Sequence, residues 1–252
     1  MFARLSFSGS LLLLLSLGWT AGGQASSFNV SPLQIVLAGK TTSALLEIKN
    51  QSIEPLRLQL SASTWDQSPS GEMILGETDD LILFPSLITL EAGETRKVRL
   101  GTTLAPGMTE TSYRVFIEEL PSREVDSGAG GHIRVVTRLS IPVFLPPRKP
   151  VSSGLIHGLT IQKGIGSFEI HNTGNIHFLA RDIQVLGKGA TGDMVTRAEL
   201  DGWYVLPAGL RRYELRFSPD ECRKLRSISV EVQTDIGILK GQSDVRPDAC
   251  EH

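Results

Sequence analysis

Leu56-Arg57-Leu58-Gln59-Leu60 puts an apolar side chain at every second position, and Tyr113-Arg114-Val115-Phe116-Ile117 and Ala44-Leu45-Leu46-Glu47-Ile48-Lys49 follow much the same rhythm. A period of two belongs to a strand with one buried face, whereas a helix would space its apolar residues by three and four. Phe28 to Leu37, Leu81 to Pro85, Thr95 to Leu100 and His132 to Phe144 extend the pattern. Turn-rich stretches such as Asp66-Gln67-Ser68-Pro69-Ser70-Gly71 and Glu91-Ala92-Gly93 separate them. About seven short strands in roughly 120 residues is the count of an immunoglobulin-like sandwich. An all-β chain is predicted.

The pattern is interrupted at Leu145-Pro146-Pro147-Arg148-Lys149-Pro150-Val151-Ser152-Ser153-Gly154, where three prolines deny ladder donors and stiffen the chain. A domain boundary is expected there, giving a first domain over 26–147 and a second β-sandwich over 148–252. Phe168 to His171, His177 to Leu186, Tyr213 to Phe217 and Ile228 to Gln233 supply strands for the second domain. The two halves share no evident sequence repeat.

Composition narrows the function. The chain has 252 residues, 40% hydrophobic and 21% charged, which is enough for two packed cores. Lys plus Arg number 25 against 27 Asp plus Glu, so no basic excess marks a nucleic-acid groove or a polybasic membrane patch. Aromatic content is only 6%, with 25 Gly and 13 Pro, a mix suited to short strands and tight turns.

Arg4 precedes the apolar run Leu11-Leu12-Leu13-Leu14-Leu15-Ser16-Leu17, which is too short to cross a bilayer, and Gly23-Gln24-Ala25 puts small residues where a signal peptidase cuts. Residues 1–25 therefore read as a secretory signal peptide. No second apolar run reaches spanning length, so no membrane insertion is expected of the mature chain. Export into an oxidising compartment allows the only two cysteines, Cys222 and Cys250, to close a disulfide as a structural staple. They lack the C-x-x-C spacing of redox or metal chemistry.

Catalytic constellations are missing. The histidines are His132, His157, His171, His177 and His252, and only His171 and His177 lie close in sequence. Across Asn172-Thr173-Gly174-Asn175 they read as surface histidines flanking a hairpin, not as a metal site. There is no G-x-S-x-G, G-x-x-x-x-G-K-[ST] or H-E-x-x-H motif. Gly128-Ala129-Gly130-Gly131 shares only its glycine content with a phosphate cradle and reads as a flexible loop. No enzyme activity, cofactor or metal is expected.

One ordered set of motifs remains: Trp65-Asp66-Gln67; Phe84-Pro85-Ser86 leading into Leu90-Glu91-Ala92-Gly93-Glu94-Thr95-Arg96-Lys97-Val98-Arg99-Leu100; Tyr113 through Pro121; and Arg138-Leu139-Ser140-Ile141-Pro142-Val143-Phe144. In order and spacing it resembles the first domain of the periplasmic pilus chaperones of the chaperone–usher pathway. Asn172-Thr173-Gly174-Asn175 and Thr234-Asp235-Ile236-Gly237 are similar to turns of that family's second domain, so the resemblance spans nearly the whole mature chain. It implies a boomerang of two immunoglobulin-like domains in the periplasm. It also implies binding of pilin subunits in the cleft and their delivery to an outer-membrane usher. A pilin lacks the last strand of its own sandwich, and the chaperone lends its seventh strand to fill the gap. That strand should be about His132 to Phe144, offering Ile133, Val135 and Thr137, after an unusually long loop from Pro121 to Gly131.

In the best-known branch of that family two basic cleft residues hold the pilin's C-terminal carboxylate. The matching positions here are Gln34 and Ser140, and neither carries charge. The wording of Arg138 to Phe144 and the Trp65 motif look more like the archaic branch. A cationic replacement is then expected from the arginines. Antiparallel pairing through the 121–131 loop would set Arg114 roughly opposite Arg138, with Arg99 in reserve. The competing reading gives each arginine a local carboxylate, Glu110, Glu118 or Glu119, or solvent. A secreted immunoglobulin-like adhesive protein is the alternative function, and self-association of the free chain through its sticky edge is left open.

Overall fold

The computed structural model describes residues 27–39, 41–121 and 135–250; the expected signal peptide and Ile133 lie outside them. Four sheets stack in pairs as two immunoglobulin-like β-sandwiches. In the first sheet β1 (Phe28–Ser31), β3 (Ser43–Asn50), β8 (Thr95–Thr102) and β6 (Leu81–Phe84) lie in that order. In the second, β2 (Ile35–Val36), β10 (Arg138–Leu145), β9 (Thr111–Glu119) and β4 (Leu56–Gln67) are neighbours. Both β5 (Met73–Gly76) and β7 (Leu87–Leu90) pair along the far edge of β4. All ladders are antiparallel except that of β2 with β10.

Alternation decides which side chains fill the space between these sheets. Leu58 and Leu60 of β4, Tyr113, Val115 and Ile117 of β9, and Ile141 and Val143 of β10 meet Leu46, Ile48, Val98 and Leu100 of the opposing sheet, all buried. The expected single strand over Phe28 to Leu37 is in fact two. Pro32, with no N–H to donate, sits where the chain leaves the first sheet, and β2 joins the second.

The second sandwich sets β11 (Gly154–Gln162), β12 (Ile165–Asn172) and β16 (Leu210–Arg216) against a larger sheet ordered β14 (Met194–Asp201), β13 (Phe178–Lys188), β17 (Ser227–Thr234) and β18 (Gly237–Asp244). A short strand, β15 (Tyr204–Val205), also pairs with β13. Phe168, Ile170, Phe178, Ile183, Val185, Val230 and Val232 form its core. The segment between His171 and His177 is not a hairpin: β12 and β13 belong to opposite sheets, so the chain crosses the sandwich there. Helix α1 (Pro219–Lys224) begins with a capping box between Ser218 and Glu221. Its Cys222 is bonded to Cys250, Cα to Cα 5.7 Å, the disulfide expected from the cysteine count.

Where the domains meet, side chains from both sides bridge the seam in addition to the linker. Gln67, the last residue of β4, donates from Nε2 to the Tyr204 carbonyl at 3.0 Å and accepts from the Leu206 N–H through Oε1 at 3.2 Å. Buried Glu110 accepts from both the backbone N–H and the ring Nδ1 of His177, at 3.0 and 2.7 Å. The His177 ring stacks on Phe144 with centroids 3.6 Å apart. Beside them, the turn after β4 bonds the Arg212 N–H through the Pro69 carbonyl, and the Arg211 guanidinium lies against Gly71 where any side chain would collide with it.

Candidate ligand cleft between the domains

Alternation along the second sheet leaves every other side chain pointing away from the core. Register pairs Ser112 with Phe144, Arg114 with Ser63 and Pro142, Phe116 with Ser61 and Ser140, and Glu118 with Gln59 and Arg138. These rows form the outward face of β4, β9 and β10, which ends against the second domain at Trp65 and Phe144.

Arg114 is the unusual member. It faces away from the sandwich core, yet it is only 3% exposed. Its guanidinium carbon lies 3.7 Å from the centroid of a Trp65 ring, a cation–π stack. Trp203 and Tyr204 of the second domain approach to 5.7 and 5.9 Å. Both Nε and Nη2 are buried without a hydrogen-bond partner among the described residues. Burial lowers the guanidinium from the usual arginine range to about 10, so it is still a cation at neutral pH.

The carboxylates that might have answered it are engaged elsewhere. Glu110 is bound to His177. Glu118 pairs with Arg138 at 2.6 Å, and Glu119 contacts the Thr137 N–H at 3.3 Å. Three more buried groups on this face have no partner among the described residues either: Trp65 Nε1, Ser112 Oγ and Ser140 Oγ. A buried cation and an indole N–H without an acceptor among the described residues share this face with the two unpartnered hydroxyls, a donor set chemically suited to an anion with two oxygens. The parallel Nε–H and Nη2–H of a guanidinium match a carboxylate.

The other expected anchors do not join Arg114. Arg138 lies opposite Glu118, not Arg114, because the β9–β10 ladder is displaced by four residues from the expected register. Its side chain is 57% exposed, paired with Glu118 and resting over Phe116, which is the local-carboxylate alternative. Arg99 is exposed on the other sheet, opposite Leu45 and Phe84, outside the cleft. Of the positions matching the family's basic pair, Gln34 accepts from the Tyr204 hydroxyl at 3.1 Å.

The seventh strand is shorter than expected. Its described part begins at Arg138, the expected start at His132 lying outside the described residues; pairing with β9 runs one residue further through Thr137, and Val135 lies ahead of the strand, 63% exposed. On the side of β10 away from β9, β2 pairs only with Val143 and Phe144. Arg138 to Pro142 have no strand beside that edge among the described residues.

Sequence reasoning missed Trp203, Tyr204, Gln67 and the Glu110–His177 pair. Trp203-Tyr204 is two adjacent large aromatics in a chain poor in them, the one signal that could have drawn notice.

The pili and flagellar-assembly chaperone family, PapD N-terminal domain, matches residues 27–150. No curated protein matches the chain in sequence. Among solved structures, a chain of the CsuC–CsuE chaperone–tip adhesion subunit complex, from the archaic chaperone–usher Csu pili of Acinetobacter baumannii, has a similar fold. It is 18% identical with a TM-score of 0.57, over 87% of this chain and 98% of that one. The YadV chaperone is 15% identical with a TM-score of 0.57, over 86% and 98% of the two chains. A chain of the Salmonella enterica SafA pilin–SafB chaperone complex is 17% identical with a TM-score of 0.54, over 86% and 97%. At these identities the likeness is one of fold.

Proposed function

The chain belongs, through its first domain, to the pili and flagellar-assembly chaperone family of the chaperone–usher pathway rather than to an enzyme family, and from that premise we propose that it is a periplasmic chaperone that captures pilin subunits by strand donation and hands them to an outer-membrane usher. The reading is carried by Arg114, a buried cation with unpartnered donors on the same face as the open edge of β10. An incoming strand would add backbone bonds along Arg138 to Pro142. Ile133, Val135 and Thr137 would reach its apolar groove, and the strand's terminal carboxylate would meet Arg114. Neither Gln34 nor Ser140 can supply that charge, which fits the archaic branch, and Arg138 stays on the rim with Glu118.

Strand donation explains why an exposed Val135 and an uncovered edge are present on a secreted protein at all. Such an edge normally invites aggregation, and a subunit that covers it removes both liabilities. The test is co-expression with a secreted pilin subunit. We expect a one-to-one complex, weakened when the pilin carries extra residues beyond its natural C-terminus. Failure to recover pilin, or equal capture of both pilin forms, would count against the assignment.

A further inference from the structure

Part of the cover over Arg114, beyond the Trp65 ring of its own domain, comes from the other domain, and that arrangement has energetic consequences. Trp203 and Tyr204 are fixed to the body of the second sandwich. Tyr204 pairs with Leu179 of β13, and the Trp203 carbonyl accepts from the Ala180 N–H at 3.0 Å. Gly202 sits so tightly on β13 that a Cβ would fall 2.2 Å from the Ala180 carbonyl oxygen. The aromatic pair cannot drift independently of its domain. Trp65 and Arg114 are equally fixed to the first sandwich, and Gln67 and Gln34 join the two across the seam.

Docking the second domain therefore strips water from a guanidinium that has no counter-ion among the described residues. Desolvating an unpaired charge opposes docking. An anion on the unpartnered Nε and Nη2 reverses the sign, because the aromatic walls then enclose a neutral pair in a low-dielectric site where the attraction is strongest. We propose that docking of the second domain and occupation of Arg114 by a terminal carboxylate are one coupled equilibrium, with Trp203 and Tyr204 as the positioning residues that join them. This rests on the reading of Arg114 as the carboxylate anchor. Linkage makes the effect reciprocal: whatever factor docking adds to carboxylate affinity, the carboxylate adds to docking.

Acetate is the probe, titrated into the full mature chain against chloride at matched ionic strength. Binding is read by tryptophan fluorescence, and docking by hydrogen exchange at the Leu206 N–H, which is bonded to Gln67 across the seam. We expect acetate to slow Leu206 exchange in the parent. Trp203→Ala and Gln67→Ala should each weaken acetate binding at least fivefold, with protection in both domain cores unchanged, and Trp203→Phe should restore most of the loss. No acetate response in the parent would overturn the anchor and this inference with it. If the parent binds acetate through Arg114, shown by loss in Arg114→Met, but Trp203→Ala binds equally well or Leu206 exchange ignores acetate, the coupling alone is overturned.

Discussion

Replacing Arg114 with methionine should leave the free protein as stable as the parent, or slightly more so, while removing its grip on the pilin terminus. An ordinary truncation at a 3% exposed position costs about 2–5 kcal/mol. Arg114 differs because its charge has no partner among the described residues. The burial that brings its guanidinium down to about 10 opposes the charged form by about 3 kcal/mol, reduced to about 2 by solvent at the cleft mouth. Against this stands the stack on Trp65, worth about 1–2 kcal/mol. Methionine keeps most of the volume and can pack its sulfur on the same ring. The net change is between zero and about 1 kcal/mol in favour of methionine, a rise in Tm of no more than about 4 °C for a chain of this size. Denaturant and thermal unfolding measure the first half, and co-purification with pilin of native or extended C-terminus measures the second. A loss of more than 2 kcal/mol in the free protein would show that the guanidinium has a structural partner, and the argument for an anion site would fail.

Glu110→Ala should destabilise by about 2–4 kcal/mol in denaturant titration, since it leaves the His177 N–H and ring nitrogen without their acceptor at the seam. Cys222→Ser with Cys250→Ser should cost about 3–4 kcal/mol, and the unfolded, unreduced parent should show no free thiol. Val135→Asp should leave Tm unchanged, the residue being 63% exposed, yet lower pilin recovery in pull-down, because the charge would enter an apolar groove; undiminished recovery would move the donated segment elsewhere.

The strands legible in the sequence were those with one apolar and one polar face, such as Leu56 to Leu60. Among those that escaped, two have little apolar contrast: β14 reads Met-Val-Thr-Arg-Ala-Glu-Leu-Asp with no residue buried, and β18 is likewise partly or fully exposed throughout. Arg114 was identifiable as a candidate for a simple reason. The register error was four residues, and an even slip keeps every side chain on its face while exchanging its neighbour. The loop after Pro121 is too long to pin where pairing starts, so Arg138 met Glu118 instead. His177 looked like a surface residue because its partner, Glu110, is distant in sequence, and local pattern holds no record of such contacts.

The two-residue strand β2 lies on the edge of β10 at Val143 and Phe144, directly after the row that holds Pro142 and Arg114. For a strand added to the open part of that edge it is an end stop. Under the proposed strand donation the added chain would halt beside Arg114 and extend only in the other direction, so position would be counted from its last residue backwards. A ruler with its zero at the C-terminus is indifferent to how long the subunit is or how its early strands are arranged. Subunits that differ widely in size could share one chaperone, provided each ends at the same mark.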